Sequence, residues 1–383
     1  MNNSCSVCNS TSTDLIFESL LGKVLTSLCE VQPGTVKVWQ CRDCGHLFGE
    51  ELADTRDYYA NDYRILLTHE DEDQIYEMRD GKITYRTDHQ LAVLERKLPL
   101  RAGMRLLDYG CAKASMPKRL LTAHPELAVH LFDVSPMYQE HWRKFVTPER
   151  WAIDVAPESW HDSFDVATSF FALEHIPKPQ ESVRNIRRLL REDGCFYGIV
   201  PDTAGNVSDF VVVDHVNHFT ETSLFVLLRN AGFTQIDIDR SVHRGALVFV
   251  ARCTGPASVK PPLELPVARD IAAFWTALTE RIRSAELRHA GRPAAIYGSG
   301  FYGAYVASLL QQPEQLHCFL DASPYQQGKT LMERSILAPT ALPAEVQVMY
   351  VGLNPSIARS TVAAMDWLRE RNIQLVYLDG EPA

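Results

Sequence analysis

The sequence predicts an α/β protein made of three segments. In residues 83–255, apolar runs alternate with helical patterns: "MRLLDYG" precedes "SMPKRLLTAH", and "FDVATSFFAL" precedes "PQESVRNIRRLLREDG". Strands that alternate with helices predict a mainly parallel sheet covered on both faces. A cysteine-containing segment precedes this core, and a linker, a long helix and a smaller βα run follow it, so we place the boundaries at 1–82, 83–255 and 256–383.

Composition narrows the class of protein. The chain has 383 residues and a formal net charge of -10, which argues against a protein that grips a nucleic-acid backbone. The N-terminus lacks an apolar signal core and no apolar run approaches membrane-spanning length, so we expect a cytoplasmic protein without a membrane partner. Nine cysteines without a secretory signal are expected to be reduced.

Two C-x-x-C pairs predict a metal site. "CSVC" supplies Cys5 and Cys8, and "CRDC" supplies Cys41 and Cys44. The two-residue gap lets both thiolates of a pair reach one tetrahedral zinc ion, and two pairs complete its four ligands. Because four thiolates leave no open coordination position, we expect a structural zinc in a small N-terminal module rather than a catalytic one.

A glycine-containing turn follows the first strand of the core. In "RLLDYGCAKASMPKRLL", Asp108, Gly110, Ala112 and Ala114 lie between a hydrophobic strand and a helix. Backbone N–H groups at a helix N-terminus favour an anionic ligand. Alanine at 112 and 114 is expected to be tolerable only with a negative φ, since a left-handed backbone favours glycine.

Acidic residues follow the next two predicted strands. Asp133 ends "VHLFD", where a carboxylate can hold a ribose diol, and Asp154 ends "RWAID". This succession resembles the class I S-adenosylmethionine-dependent methyltransferases. The resemblance implies a Rossmann-like core in which Asp108, Gly110 and Ala112 line the methionine half of the cofactor, Asp133 the ribose and Asp154 the adenine edge, with Phe171 of the fourth strand also in the cofactor site.

The stretch "DFVVVDHVNHFT" carries two histidines, an acid and an amide after an apolar run. We expect a strand over Phe210–Val213 that delivers these groups to the ligand edge of the sheet. Removing a proton next to a ketone needs a base with a pKa near the working pH, and histidine is suited to it when a carboxylate orients its ring. Two other interpretations remain open: His218 caps the following helix, or Asp214, His215 and His218 bind a second metal ion.

The order of the three segments resembles the nucleotide-sugar C-methyltransferases, which methylate C3 of 4-keto-deoxysugars. The resemblance implies that His215 is the general base, Asp214 its acidic neighbour and His175 of "FALEHIP" a second active-site histidine. Asn217 and His218 stand where the family carries a tyrosine pair, and Val212 stands where it carries an aromatic residue. Tyrosines of the N-terminal module reach the sugar in this family; of Tyr58, Tyr59 and Tyr63, we select Tyr63.

A second glycine-rich turn lies in the C-terminal segment. "AAIYGSGFYGAYVAS" places Gly298, Gly300 and Gly303 between a strand and a helix, and Asp321 follows the next strand. By itself this pattern is typical of NAD-dependent oxidoreductases. The family resemblance implies instead that Gly298, Gly300 and Asp321 bind the substrate's nucleotide. Methyl transfer to oxygen or nitrogen of a related small molecule also remains open, and a zinc-ribbon nucleic-acid adaptor fits the cysteines alone.

Overall fold

A computed structural model describes residues 4–52, 58–59, 63, 72–79, 82–263, 265–369 and 371–380. Its contacts divide the chain into two compact units. The first comprises Met1–Ile16, Lys37–Asp209 and Asp214–Pro266, and the second comprises Phe17–Val36, Phe210–Val213 and Val267–Ala383. Each unit therefore draws on more than one stretch of sequence.

The described strands are, in chain order, β1 (Thr13–Glu18), β2 (Lys23–Leu25), β3 (Val31–Pro33), β4 (Lys37–Cys41), β5 (Leu47–Phe48), β6 (Ile75–Arg79), β7 (Lys82–Tyr85), β8 (Arg105–Tyr109), β9 (Ala128–Asp133), β10 (Trp151–Ile153), β11 (Phe164–Phe170), β12 (Leu190–Pro201), β13 (Asn217–His218), β14 (Gln235–Asp239), β15 (Ala246–Arg252), β16 (Ala294–Tyr297), β17 (Leu316–Leu320), β18 (Thr330–Leu331), β19 (Arg334–Leu337), β20 (Val348–Val351) and β21 (Gln374–Tyr377). The described α-helices are α1 (Arg86–Lys97), α2 (Ser115–Ala123), α3 (Gln139–Trp142), α4 (Pro179–Leu189), α5 (Glu221–Asn230), α6 (Pro266–Arg288), α7 (Phe301–Leu309), α8 (Pro355–Ala363) and α9 (Asp366–Arg369).

A seven-stranded sheet forms the core of the first unit. Its order is β10-β9-β8-β11-β12-β15-β14, and the first five strands are mutually parallel. β15 runs antiparallel to both β12 and β14. The central strands are apolar on both faces because helices cover both faces, which confirms the prediction of a mainly parallel, doubly covered sheet. The strand order reverses beside β8, and α/β sheets bind ligands at such a point.

A smaller sheet carries the second cysteine pair. Its order is β1-β4-β5-β13, and Cys41 ends β4 while Cys44 lies in the turn to β5. β13 pairs with β5, so that Asn217 lies opposite Phe48 and His218 opposite Leu47. Through β13, the stretch that carries the candidate site histidines joins the sheet of the cysteine module.

The second unit contains its own six-stranded sheet. The order is β18-β19-β17-β16-β20-β21, with β16 parallel to both β17 and β20. Gly298 and Gly300 of the second motif lie in the turn from β16 to α7, Gly303 lies in the first turn of α7, and Asp321 directly follows β17. The predicted strand–turn–helix placement of this motif is confirmed.

The prediction of a strand over Phe210–Val213 is wrong. Asp209–Val211 forms a 3₁₀ turn, and Val212 makes only an isolated bridge with Leu25. A run of valines favours a strand, but a strand also needs a ladder of backbone partners, and here Val212 has one. In contrast, Thr220 does begin a helix: it caps α5 in a capping box with Ser223.

No helix among the described residues is both long enough and apolar enough to cross a membrane.

The packing around Gly303 yields a stability prediction. A Cβ on Gly303 would overlap the carbonyl oxygen of Gly298, whereas a Cβ on Gly300 would have no atom within 4 Å. Gly303→Ala should therefore lower the free energy of unfolding by about 1–3 kcal/mol, because backbone must move to make room. Gly300→Ala, the matched control, should change it by less than about 0.5 kcal/mol. Denaturant unfolding monitored by circular dichroism distinguishes the two, and equal losses would contradict the account.

Candidate functional site

The carboxyl ends of β8 and β9 bring the first predicted group together. Asp108 is buried, and its carboxylate accepts a hydrogen bond from the Thr168 hydroxyl at 2.7 Å. Gly110 has a φ of +77°, and a Cβ there would lie 2.7 Å from the Cβ of Ala172. Glycine is therefore required at this turn both by backbone conformation and by close approach.

Asp133 ties the turn after β8 to the turn after β9. One carboxylate oxygen accepts the Ala112 N–H at 2.7 Å, and the other accepts the Ser135 N–H at 2.9 Å. Each oxygen keeps a further lone pair for a ligand. Burial raises the pKa of Asp133, although these backbone N–H groups oppose the rise.

Alanine adopts a left-handed backbone at both positions of this turn. The φ angles are 46° at Ala112 and 60° at Ala114, so the expectation of a negative φ is wrong. This conformation costs an L-residue about 1 kcal/mol, and such strain persists where surrounding contacts demand it. Here the Asp133 carboxylate holds the Ala112 N–H while Trp142 donates its indole N–H to the Ala112 carbonyl at 2.7 Å.

The other two predicted cofactor residues also have strained backbones. Asp154 is exposed, follows β10 directly and has a φ of 63°. Phe171 follows β11 with a φ of 52°, and the guanidinium of Arg86 lies 4.7 Å from the centre of its ring. The left-handed residues at 112, 114, 154 and 171 thus follow β8, β10 and β11 of the same sheet.

The carboxyl group of Asp108 has no positive partner among the described residues. Burial and the nearby charge of Asp133 raise the pKa of Asp108 to about 7, although the Thr168 hydrogen bond opposes the rise. A cationic ligand placed between Asp108 and Asp133 would therefore be stabilised by two carboxylates in a partly desolvated site.

The four predicted cysteine ligands converge. The Sγ atoms of Cys5 and Cys44 are 3.6 Å apart, those of Cys8 and Cys41 are 3.5 Å apart, and all four lie within 4.8 Å of one another. Four thiolates around a zinc ion at about 2.3 Å are separated by about 3.8 Å, so the cluster could hold zinc in a closed tetrahedral site. The other five cysteines do not join this cluster.

A buried carboxylate organises the histidines. Asp209 is 1% exposed, and one of its oxygens lies 2.6 Å from Nδ1 of His215. The other oxygen lies 3.2 Å from Nδ1 of His218 and accepts the Thr203 hydroxyl at 2.7 Å. Burial would raise the pKa of Asp209, but both histidines hold it well below its usual range.

The same interaction sets the protonation of His215. Burial by itself lowers the pKa of His215, but the hydrogen bond and charge of Asp209, with Asp214 and Glu174, raise it to about 9. A carboxylate bonded to Nδ1 fixes the ring and stabilises its charged form, which leaves Nε2 to exchange a proton with a ligand.

The pKa of His175 is lowered, whereas that of His215 is raised. Its ring packs edge-on against that of His215 with centres 4.6 Å apart. Burial and the charge of His215 lower the pKa of His175 to about 4, although Asp214 opposes the fall. Its Nδ1 lies 3.0 Å from the Asp214 carbonyl oxygen and 2.8 Å from the hydroxyl of Tyr59. The Asp214 carboxylate is 3.6 Å from the same atom.

Glu174 adds a carboxyl group to this cluster. It is 1% exposed, its Oε2 has no hydrogen-bond partner within the described part of the chain, and burial raises its pKa to about 8. Single ligand atoms of Glu174, His175 and His215 lie within 4.8 Å of one another, a spacing that a metal ion could use. This trio differs from the predicted trio of Asp214, His215 and His218, because His218 Nδ1 faces Asp209.

Asn217 lies behind the cluster. Its amide nitrogen donates to the carbonyls of Leu173 at 3.1 Å and Ile176 at 2.7 Å. Its oxygen accepts the Ser6 hydroxyl at 2.8 Å and lies 3.1 Å from Nε2 of His46. Asn217 therefore holds the turn that carries Glu174 and His175 against the cysteine module.

Tyr59 and Tyr63 both contact His175. Their ring centres lie 5.4 Å and 5.5 Å from that of His175, respectively. The Tyr59 hydroxyl also donates to the Asp214 carbonyl at 2.8 Å. From the sequence we selected Tyr63. The structure gives Tyr59 hydrogen bonds with His175 and the Asp214 carbonyl, and gives Tyr63 a ring contact with His175.

In the second unit, Asp321 ties its glycine turn in the way that Asp133 does in the first. One oxygen accepts the Ser299 N–H at 2.9 Å and its hydroxyl at 2.6 Å, and the other accepts the Ser323 N–H at 2.8 Å. Gly298 has a φ of +97°, and the space above Gly300 is open.

Asp209, Glu174 and Arg86 are the candidate site residues that sequence reasoning missed. Asp209 begins the quoted stretch six positions before His215, and no helical or strand period connects the two. Glu174 stands directly before His175 in "LEH", so its position was a signal that could have found it.

Comparison with known proteins identifies the core. Residues 82–238, less than half of the chain, match the sequence profile of a methyltransferase domain. No curated protein sequence matches the chain.

The solved structures that are similar to the chain include methyltransferases. The CMeT domain of the citrinin polyketide synthase is 17% identical with a TM-score of 0.36, over 43% of this chain and 51% of that chain. An S-adenosylmethionine-dependent methyltransferase from Mesorhizobium loti is 19% identical with a TM-score of 0.35, over 43% of this chain and 97% of that one. This chain therefore aligns with about half of the length of the citrinin synthase domain. Because both TM-scores are below 0.5, we base no argument on these two structures. The profile match shows that residues 82–238 form a methyltransferase domain.

The cysteine cluster leads to a prediction about metal content. Cys44→Ser should abolish the binding of one zinc ion per chain and destabilise the N-terminal module by several kcal/mol, because a thiolate ligand is lost. Cys253→Ser, which changes a partly buried cysteine outside the cluster, should keep the metal. Elemental analysis and thermal unfolding of the two purified variants test this. A zinc-free wild type would contradict it.

The raised pKa of Asp108 leads to a prediction about cofactor affinity. The ionised carboxylate favours a cationic ligand, so binding should weaken as the pH falls through about 7 and Asp108 becomes protonated. Below that pH, the Kd for S-adenosylmethionine should rise up to tenfold per pH unit. Asp108→Asn should flatten this dependence at a weaker affinity. Titration calorimetry between pH 5.5 and 8 measures both, and an unchanged slope in Asp108→Asn would refute the assignment.

Proposed function

We propose that this methyltransferase adds a methyl group to a carbon next to a ketone on a nucleotide-linked deoxysugar. The observation that carries the proposal is the Asp209–His215 pair, a buried carboxylate 2.6 Å from Nδ1 of a histidine. Such a pair suits the removal of a weakly acidic proton. The choice of a nucleotide-linked sugar rests on the order of the cysteine module, the methyltransferase core and the C-terminal glycine motif.

His215 acts as the general base in this proposal. Its Nε2 takes the proton from the carbon, and the resulting imidazolium is stabilised by Asp209 and remains beside the enolate. S-adenosylmethionine would supply the methyl group: the enolate carbon would form the new C–C bond, and the sulfur would keep the electron pair of the broken S–CH₃ bond, giving S-adenosylhomocysteine. The cofactor would bind as a sulfonium cation and, after giving up its methyl group, would be a neutral thioether.

The neighbouring groups position the acceptor. A neutral His175 whose Nδ1 donates to the Asp214 carbonyl presents Nε2 as an acceptor for a sugar hydroxyl. Tyr59 holds His175 and the Asp214 carbonyl in place, and Tyr63 offers a ring face. Asn217 fixes the turn that carries His175. In this proposal Asp214 and Asn217 act by positioning.

Two further parts support the reaction. The four cysteines hold a structural zinc ion, and the module that they close is joined through β5 to β13. The glycine turn of the second unit binds the nucleotide of the substrate, because its open space at Gly300 and the Asp321 carboxylate suit a ribose and its phosphate.

The test of the proposed function uses nucleotide-linked 4-keto-sugars in D₂O. Wild type without cofactor should exchange one carbon-bound hydrogen for deuterium, and with S-adenosylmethionine it should form a C-methylated product seen by mass spectrometry. His215→Ala should lose both by at least about 10²-fold. Methylation without exchange would show an oxygen or nitrogen acceptor, and activity that requires an added divalent ion would favour a metal on Glu174, His175 and His215. NAD found with the purified protein would favour an oxidoreductase.

The pKa of His215 predicts the pH dependence. The base must be neutral, so kcat/KM for the sugar should rise with pH and level off near 9. Asp209→Asn removes the interaction that raises this pKa, while burial still lowers it, so the rise should move to lower pH and the plateau should fall about 10²–10⁴-fold. In the control Asp214→Asn, which keeps the Asp209 hydrogen bond, the shift should be smaller. Equal shifts in the two variants would count against Asp209 as the partner.

A further inference from the structure

Both cysteine pairs bring a hydrogen-bond donor to the side chain of Asn217. Ser6 lies inside the first pair, "CSVC", and its hydroxyl donates to Oδ1 of Asn217 at 2.8 Å. His46 follows the second pair and places its Nε2 3.1 Å from the same oxygen. Because an amide oxygen only accepts, the His46 ring carries a proton on Nε2 and donates it. Two donors from separate loops of the cysteine module therefore meet on one oxygen atom.

These two donors fix the orientation of the Asn217 amide. Its oxygen is held by the module, and its NH₂ group donates to the carbonyls of Leu173 at 3.1 Å and Ile176 at 2.7 Å. Glu174 and His175 lie between these two carbonyls in the chain. An amide turned over would place its oxygen against two carbonyl oxygens and its nitrogen against two donors. Only one orientation therefore satisfies all four hydrogen bonds.

The interior location of this amide makes each of its partners matter. Asn217 is 1% exposed, and His46 is fully buried and packs against two phenylalanine rings. A buried amide that loses a partner has no water to replace it, so the turn over 173–176 would shift to restore its hydrogen bonds. That shift would reach His175, whose Nδ1 lies 3.0 Å from the Asp214 carbonyl oxygen.

We propose that Ser6 and His46 are positioning residues. Through Asn217 they hold the turn that carries His175, so that order in the cysteine module is transmitted to the catalytic cluster. Zinc bound by the four cysteines would close both loops and thereby fix both donors. The proposal rests on the proposed function only for the role of His175 as a contact of the methyl acceptor, since the chain of hydrogen bonds exists without it.

The test compares Ser6→Ala with Ser10→Ala in the full chain. Ser10 belongs to the same module, but its hydroxyl donates to the Asp43 carboxylate at 2.5 Å. Both variants should keep one zinc ion per chain and the wild-type Kd for S-adenosylmethionine. In ¹⁵N NMR spectra, His175 should be protonated on Nδ1 in the wild type and in Ser10→Ala, whereas Ser6→Ala should show a mixture of tautomers. Only Ser6→Ala should lower kcat for methylation of a keto-sugar, by about three- to tenfold, and Ser6→Thr should restore it.

A double-mutant cycle tests whether the effect passes through Asn217. In an Asn217→Ala background, Ser6→Ala should change neither the His175 tautomer nor kcat any further. Removing zinc from the wild type with a chelator should shift the tautomer in the same direction as Ser6→Ala, because both donors lie in loops that the metal closes. An unchanged tautomer in Ser6→Ala, loss of zinc from that variant, or a tautomer insensitive to metal removal would each overturn the proposal.

Failure of the proposed function would give a different result. A wild type that neither exchanges deuterium nor methylates a keto-sugar would refute carbon methylation, while the zinc content and the His175 tautomer would still decide the role of Ser6. If His175 keeps one tautomer in every variant while the sugar is methylated, carbon methylation stands and the role of Ser6 is refuted.

Discussion

The candidate site depends on one buried carboxylate. Asp209 is buried, and an uncompensated charge in the protein interior would cost several kcal/mol. His215, His218 and Thr203 compensate it by hydrogen bonding to its two carboxylate oxygens. To supply these donors, the chain makes a 3₁₀ turn at 209–211, crosses to a short strand at 217–218 and then starts α5. The same carboxylate raises the pKa of His215, so local folding and the chemistry of the base arise from one interaction.

In the seven-stranded sheet and in the six-stranded sheet, an acid at the end of the second strand along the chain closes a glycine turn. Asp133 bonds the N–H groups of Ala112 and Ser135, and Asp321 bonds those of Ser299 and Ser323. In the first unit the turn contains left-handed alanines and a close approach at Gly110, so backbone strain accompanies the predicted cofactor residues. In the second unit the open space lies at Gly300. In the proposed function, the first turn binds the cofactor and the second binds the nucleotide of the substrate.

The sequence was sufficient to predict strands and the cysteine cluster, because these follow from local patterns of residues. The strands before Asp108, Asp133 and Asp154 are where apolar runs predict them, and the paired C-x-x-C spacing predicted a cluster that the structure forms. It failed where tertiary contacts decide. The valines before Asp214 favour a strand but have a single bridge partner, and the left-handed alanines are imposed by Asp133 and Trp142. The hydrogen bond between Asp209 and His215 follows no sequence period, whereas the sequence suggested Asp214 because it is adjacent.

The central claim is that Asp209 controls the protonation of His215, and NMR titration of histidines labelled with ¹⁵N measures this directly. Spectra of the wild type between pH 5 and 10, assigned with His215→Gln, should show the His215 ring protonated until the pH passes about 9, with His175 neutral above about 4. In Asp209→Asn the His215 transition should fall below 7, because burial then acts without the carboxylate. A His215 pKa that is the same in both proteins would contradict the account.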